Sequence, residues 1–144
     1  MVESQESKLS IYDCYVGRTD WKYLGSKGIF KEGIWKCNLF VQEVIQEKLN
    51  LNIKVGKQGH PNTSNLLDPS YEVPNCKRLT DLSNLDPSKT YIITRENLEG
   101  GNHCGLVLND YVYHATKFEV EKTTLKEFLL KMKKNRLSVL EVLS

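Results

Sequence analysis

Histidine and cysteine are scarce in this chain: 144 residues hold three histidines and four cysteines. Chemistry that needs an imidazole must draw on His60, His103 or His114. The cysteines, Cys14, Cys37, Cys76 and Cys104, include no pair at C-x-x-C spacing, so a zinc ribbon and a thioredoxin-like redox motif are excluded. A Cys14–Cys76 disulfide is conceivable, nothing in the sequence favours it, and the redox compartment stays open. No run approaches the ~20 apolar residues of a membrane-spanning helix, so membrane insertion is not expected. Met1–Ser10 is polar and carries no apolar signal-peptide core. Charge of one sign is lacking too. Twenty Lys and Arg against eighteen Asp and Glu leave +2, which points neither to nucleic acid nor to an anionic membrane. There is no internal repeat and no low-complexity tract.

What is present is ordinary globular composition, 40% hydrophobic and 26% charged. The length suits one domain, able to bury roughly 70% of the surface of its unfolded chain. Residues 1–10 read as a loose arm and residues 11–144 as a single domain. Residues 11–36, rich in aromatics and glycines, read as short elements with turns. Cys37, Phe40, Val41, Val44 and Ile45 recur at helical spacing, which predicts a helix over 38–49 with Cys37 at its start. Residues 56–90 hold all four prolines and read as a long irregular region with one short helix. Tyr91–Arg95, Cys104–Leu108 and Tyr111–Ala115 read as strands, the last two joined by the Asn109-Asp110 loop. Thr124 and Glu127 form a capping box for a helix over 124–133, with Leu125, Phe128, Leu129 and Met132 as its buried stripe. A strand over 138–143 closes an α+β domain.

Cys37 at a helix start has two readings. Unpaired backbone N–H groups and the helix dipole favour a thiolate nucleophile there and can stabilise an oxyanion. A free cysteine on an apolar stripe is also an ordinary small hydrophobe. The histidines sharpen the choice. With 109-110 as a two-residue loop, Leu108 faces Tyr111 and Gly105 faces His114. His103 and His114 then share one side of the sheet as diagonal neighbours, roughly 7–8 Å apart along the backbone. Gly105 leaves room for the His114 ring to lean towards His103. That is the relation of a catalytic base to the group that orients it. A slip of one residue would separate them. His60, before Pro61, reads as a loop residue. A metal site fares poorly, because adjacent His103 and Cys104 point to opposite faces. No cofactor is expected.

Lys36-Cys37-Asn38-Leu39-Phe40-Val41-Gln42 resembles the nucleophile helix of NlpC/P60-type papain-like peptidases. Gly101-Asn102-His103-Cys104-Gly105-Leu106-Val107-Leu108 resembles that family's strand with the catalytic histidine. Val112-Tyr113-His114-Ala115-Thr116 resembles its next strand, which carries the third triad member. Leu85–Lys89 with Tyr91-Ile92-Ile93 is similar to its turn and following strand. The form around Cys37 is nearest to peptidoglycan amidases of type VI secretion and their eukaryotic relatives. Asn38 stands where the family has a small serine. Tyr23 lies near the family's oxyanion-site tyrosine but further from the nucleophile.

The resemblance implies a papain-like fold, with the nucleophile helix packed on a mostly antiparallel sheet, and a hydrolase with Cys37, His103 and His114 as its triad. Asn38, Tyr23 and Trp35 are the oxyanion and substrate candidates. Trp21–Trp35 and residues 56–80 are the expected groove walls. The implied substrate is the peptide stem or cross-link of bacterial peptidoglycan. The implied role is antibacterial or wall-remodelling, in a monomer delivered to the periplasm or outside the cell, with a cognate immunity protein as a further partner. Two alternatives stay open. One is a related thiol enzyme acting on proteins, such as a deamidase, transglutaminase-like or acyltransferase toxin. The other is a non-catalytic module that binds cell wall or a partner. The basic residues Lys131, Lys133, Lys134 and Arg136 read as a solvated helix face.

Overall fold

A computed structural model describes residues 10–19, 36–53, 63–80, 82–98, 102–116 and 119–143. The apolar stripe after Lys36 forms helix α1 (Lys36–Val44), which widens into a π-helical turn over Ile45–Leu49. Asn50, at φ 55, stops it in the left-handed region that asparagine tolerates, and its N–H donates to the Gln46 carbonyl. The proline-rich region contains the short helix α2 (Thr63–Leu67) and a strand, β1 (Cys76–Leu79). β1 reads Cys-Lys-Arg-Leu, with no apolar alternation to signal it.

Strands β2 (Tyr91–Asn97), β3 (Asn102–Leu108) and β4 (Tyr111–Ala115) follow. Asn109 and Asp110 both have positive φ, 52 and 67, as a tight hairpin turn of the mirror-image type requires. β3 and β4 pair in the expected register: Leu106 with Tyr113, Val107 with Val112, Leu108 with Tyr111. Next comes β5 (Val120–Thr124), again too polar to be signalled, and then helix α3 (Leu125–Leu129).

The end of the chain departs from expectation. The sequence predicts a helix to residue 133, but α3 stops at Leu129. Met132, expected on its buried stripe, opens β6 (Met132–Val142). The chain turns at Leu130 and Lys131, and Met132 then pairs with Asn97 and Leu137 with Arg95. Sheet pairing with β2 takes the backbone groups a longer helix would have used. Lys133, Lys134 and Arg136 therefore lie on a strand, not on a helix face.

The six strands form one antiparallel sheet in the order β1-β6-β2-β3-β4-β5. Alternation gives it two apolar faces. Ile92, Cys104, Leu106, Tyr113 and Leu140 pack under Phe40 and Val41 of α1. Ile93, Val107, Val112 and Val139 pack on the other side with Phe128 of α3. A 3-10 turn at Asp13–Tyr15 ties the N-terminal part to the first face. The Asp13 carboxylate accepts from Tyr113 Oη and Lys122 Nζ, each at 2.8 Å, which holds it below the usual carboxylate range although its partial burial acts the other way.

Candidate active site

The alternation of β3 and β4 decides which side chains meet. Cys104, Leu106, Tyr113 and Ala115 belong to the α1 face, so His103, Gly105 and His114 turn to the α3 face. There Nε2 of His103 lies 2.7 Å from Nδ1 of His114, with ring centroids 4.9 Å apart. Both histidines are buried, at 7% exposure. Gly105 permits this closeness. A Cβ on it would stand 3.0 Å from His114 Cβ, 2.9 Å from the Tyr113 carbonyl oxygen and 2.7 Å from Val112 Cγ1.

Phe128 roofs the pair. Its ring stacks on His103 at 5.8 Å and meets His114 edge-on at 5.4 Å. Arg95, across the ladder from His103, lays its guanidinium 4.2 Å from the Phe128 ring centre. Its Nη1 donates to the Phe128 carbonyl at 2.6 Å and its Nε to Asn97 Oδ1 at 2.7 Å. Burial pushes the His114 imidazole down to about 2, and His103, Arg95 and Lys131 push the same way. His114 is therefore neutral in the folded protein. Its Nε2 is buried with no hydrogen-bond partner among the described residues. A neutral His114 can accept at Nδ1 from a proton on His103 Nε2, provided its own proton sits on Nε2.

Cys37 is the second residue of the described helix and is fully buried. Cys37 and Cys104 both belong to the buried core under α1. Burial pushes the Cys104 thiol well up, and the neighbouring Cys37 acts in the same direction. Cys104 thus keeps its proton. His103 precedes Cys104 and points to the opposite face. The structure brings His103 to His114 and Cys37 to Cys104, with the two pairs flanking the start of β3 from its two sides.

Asn38 follows Cys37 and is buried. Tyr23, Trp35, Trp21 and His60 lie outside the described residues. All four cysteines are free, so the structure contains no Cys14–Cys76 bond. Cys14 is exposed, and burial pushes the Cys76 thiol up to about 12. Beside the start of β3 a hollow of about 350 Å³ is lined by Ser64, Asp68, Glu96, Asn102 and Arg136. Asn102, which precedes His103, reaches Ser64 Oγ at 3.4 Å. No described helix is long and apolar enough to cross a membrane. Among the described residues, no three or more His, Cys, Asp or Glu side chains are grouped to hold a metal ion.

Three participants escaped sequence reasoning. Phe128 was legible only as an apolar helix position. Arg95 joins the histidines through a strand pairing that no local pattern shows. Cys104 was legible as opposite in face to His103, but its place beside Cys37 depends on how α1 lies on the sheet.

The described residues define an α+β protein with a six-stranded antiparallel sheet, a histidine pair under one helix and a thiol pair under the other. Compared with family models, curated proteins and solved structures, the chain matches none.

Proposed function

We propose that the chain is a cysteine hydrolase of papain-like, NlpC/P60 type that cuts amide bonds in the peptide stems or cross-links of bacterial peptidoglycan. The observation that carries the reading is the 2.7 Å bond between His103 and His114, formed one residue from Cys104, which shares the core under α1 with Cys37. A buried imidazole aligned by a second, neutral imidazole suits a base whose ring must hold one orientation. The substrate class rests on the resemblance of the segments around Cys37, His103 and His114.

In this mechanism the Cys37 sulfur attacks the amide carbonyl, and its proton passes to Nδ1 of His103, the ring nitrogen not bonded to His114. The charged ring donates from Nε2 to Nδ1 of His114. The Cys37 backbone N–H donates to the oxyanion. Collapse expels the amine, which takes the proton from His103 and leaves a thioester on Cys37. His103 then takes a proton from water, whose oxygen attacks the thioester; the C–S bond breaks, the Cys37 sulfur leaves with the proton from His103, and the carboxylic acid is freed. The first transfer requires the sulfur to reach Nδ1 around the first residues of β3, from the face it shares with Cys104. The hollow at Ser64, Asp68 and Asn102 lies beside this end of the strand and could seat a peptide stem.

The test is incubation of the purified chain with peptidoglycan sacculi and mass spectrometry of the soluble fragments. New amine termini with the wild-type chain, absent with Cys37→Ala, are expected. No new termini from either protein would overturn the proposal.

A further inference from the structure

A second hollow adjoins the one at Ser64 and Asp68, with Leu67, Pro69 and Arg136 in the wall of both. Its volume is about 510 Å³, within the range of small-ligand sites. The strand register sets the face it serves. Cys104 pairs with Thr94 and Thr94 with Ser138, so these three stand in one row across β3, β2 and β6 on the α1 face. Arg78 pairs with Leu140 of that face and donates to Ser138 Oγ at 2.6 Å. Arg136 donates at 2.7 Å to Glu96, which lies two residues after Thr94 and shares its face. Two strand spacings, about 10 Å, separate the Cys104 and Ser138 positions, a span that about three extended residues cover.

The second hollow has two charged residues in its described lining, and both are arginines. Arg78 is half-buried. Besides Ser138, it donates to the Leu66 carbonyl at 2.8 Å and the Tyr71 carbonyl at 2.9 Å. All three acceptors are neutral, and among the described residues no carboxylate forms an ion pair with it. A charge partly withdrawn from water with no opposite charge beside it favours an anionic partner. Arg136 is exposed and uses only its Nε on Glu96, so its two terminal nitrogens have no partner among the described residues. A guanidinium in that state offers two parallel N–H donors to a carboxylate. Asp68 belongs to the first hollow, and its Oδ1 already accepts from the N–H and hydroxyl of Ser70.

We propose that this second hollow is a carboxylate subsite, in which Arg136 and Arg78 seat the free C-terminal carboxylate of the peptide stem while the first hollow holds the residues leading to it. The identity of the ligand rests on the hydrolase reading above. The subsite adds charge selectivity to that reading: a stem whose terminal carboxylate is amidated offers neither arginine a counter-charge.

The probe is the synthetic stem L-Ala-γ-D-isoGln-L-Lys-D-Ala, whose only carboxylate is C-terminal, set against its C-terminal carboxamide. Isothermal titration uses the full chain, as wild type and with Cys37→Ala to prevent turnover. The carboxylate form should bind about tenfold tighter or more, as a charge-assisted bidentate pair requires. Arg136→Gln and Arg78→Gln should each shrink that preference, and Arg78→Lys should keep more of it than Arg78→Gln. Glu96→Gln should tighten binding of the carboxylate form alone, because it frees Arg136 and removes a nearby negative charge. A merely structural role for that pair would instead weaken both forms alike. Arg78 also holds the Leu66 and Tyr71 carbonyls, so if its variants fail to fold, Arg136→Gln and Glu96→Gln decide. Equal affinity for the two forms, binding of neither, or a preference that survives Arg136→Gln overturns the subsite. Selective binding by a chain that releases no fragments from sacculi would sink the hydrolase reading alone. Release of fragments with no carboxylate preference would sink only the subsite.

Discussion

His103 and His114 come within 2.7 Å of each other because the residue between them on β3 is Gly105. The histidines are diagonal neighbours on a hairpin, a relation that by itself leaves backbones roughly 7–8 Å apart. Any side chain at residue 105 would meet the Tyr113 carbonyl oxygen, Val112 and His114 Cβ. The carbonyl is fixed in the β-ladder and cannot give way cheaply.

Gly105→Ala should therefore act on both stability and the site. Overpacking of this kind costs about 1–3 kcal/mol. Urea unfolding checks that loss. The folded fraction should also lose amidase activity, because His114 moves off His103. Stability and activity equal to wild type would show that the space at residue 105 does not control the pair.

Acid should weaken the fold through His114. Its folded pKa, about 2, lies below its ordinary value of 6.5, so the unfolded chain takes up the proton first as pH falls. The contribution is complete above about pH 6.5 and is lost as pH falls from there towards 2, by about 1.4 kcal/mol per pH unit. Urea unfolding over the upper part of that range should give a steep decline for wild type and a shallower one for His114→Gln. Equal slopes would mean that His114 is not held neutral.

The capping box of α3 supports the same site from outside. Thr124 Oγ1 accepts from the Glu127 N–H at 3.1 Å, and Glu127 Oε1 accepts from the Thr124 N–H at 3.1 Å. The helix they start carries Phe128 over both histidines. Thr124→Ala should cost about 1 kcal/mol of stability. It should also shift the imidazole proton resonances of His103 and His114. A cost confined to stability, with those resonances unmoved, would separate the cap from the site.

Much of the hairpin was legible before the structure. Asn109-Asp110 fixed the turn, the turn fixed the register, and the register put His103, Gly105 and His114 on one face. The stripe after Cys37 announced α1, and Thr124 with Glu127 announced the start of α3. The polar strands β1 and β5 were not legible, because their pairing comes from backbone hydrogen bonds that leave no apolar alternation. The stop of α3 at Leu129 was hidden for a related reason: Met132 fits a helical stripe and a strand equally well, and only the partner strand β2 decides. The side of the sheet that α1 would cover was also invisible locally. That choice set Cys37 against Cys104 and left the histidines to Phe128.

The most direct measurement is the alkylation of Cys37 at about pH 5.5, where an ordinary thiol carries little thiolate. Burial holds Cys76 and Cys104 protonated, and Cys14 is the exposed comparison within the same chain. Iodoacetamide labelling with peptide mapping should find Cys37 modified ahead of Cys14. In His103→Ala the Cys37 rate should fall while the Cys14 rate stays the same. Labelling of Cys14 before Cys37, or a Cys37 rate unchanged by the loss of His103, would contradict a Cys37–His103–His114 triad.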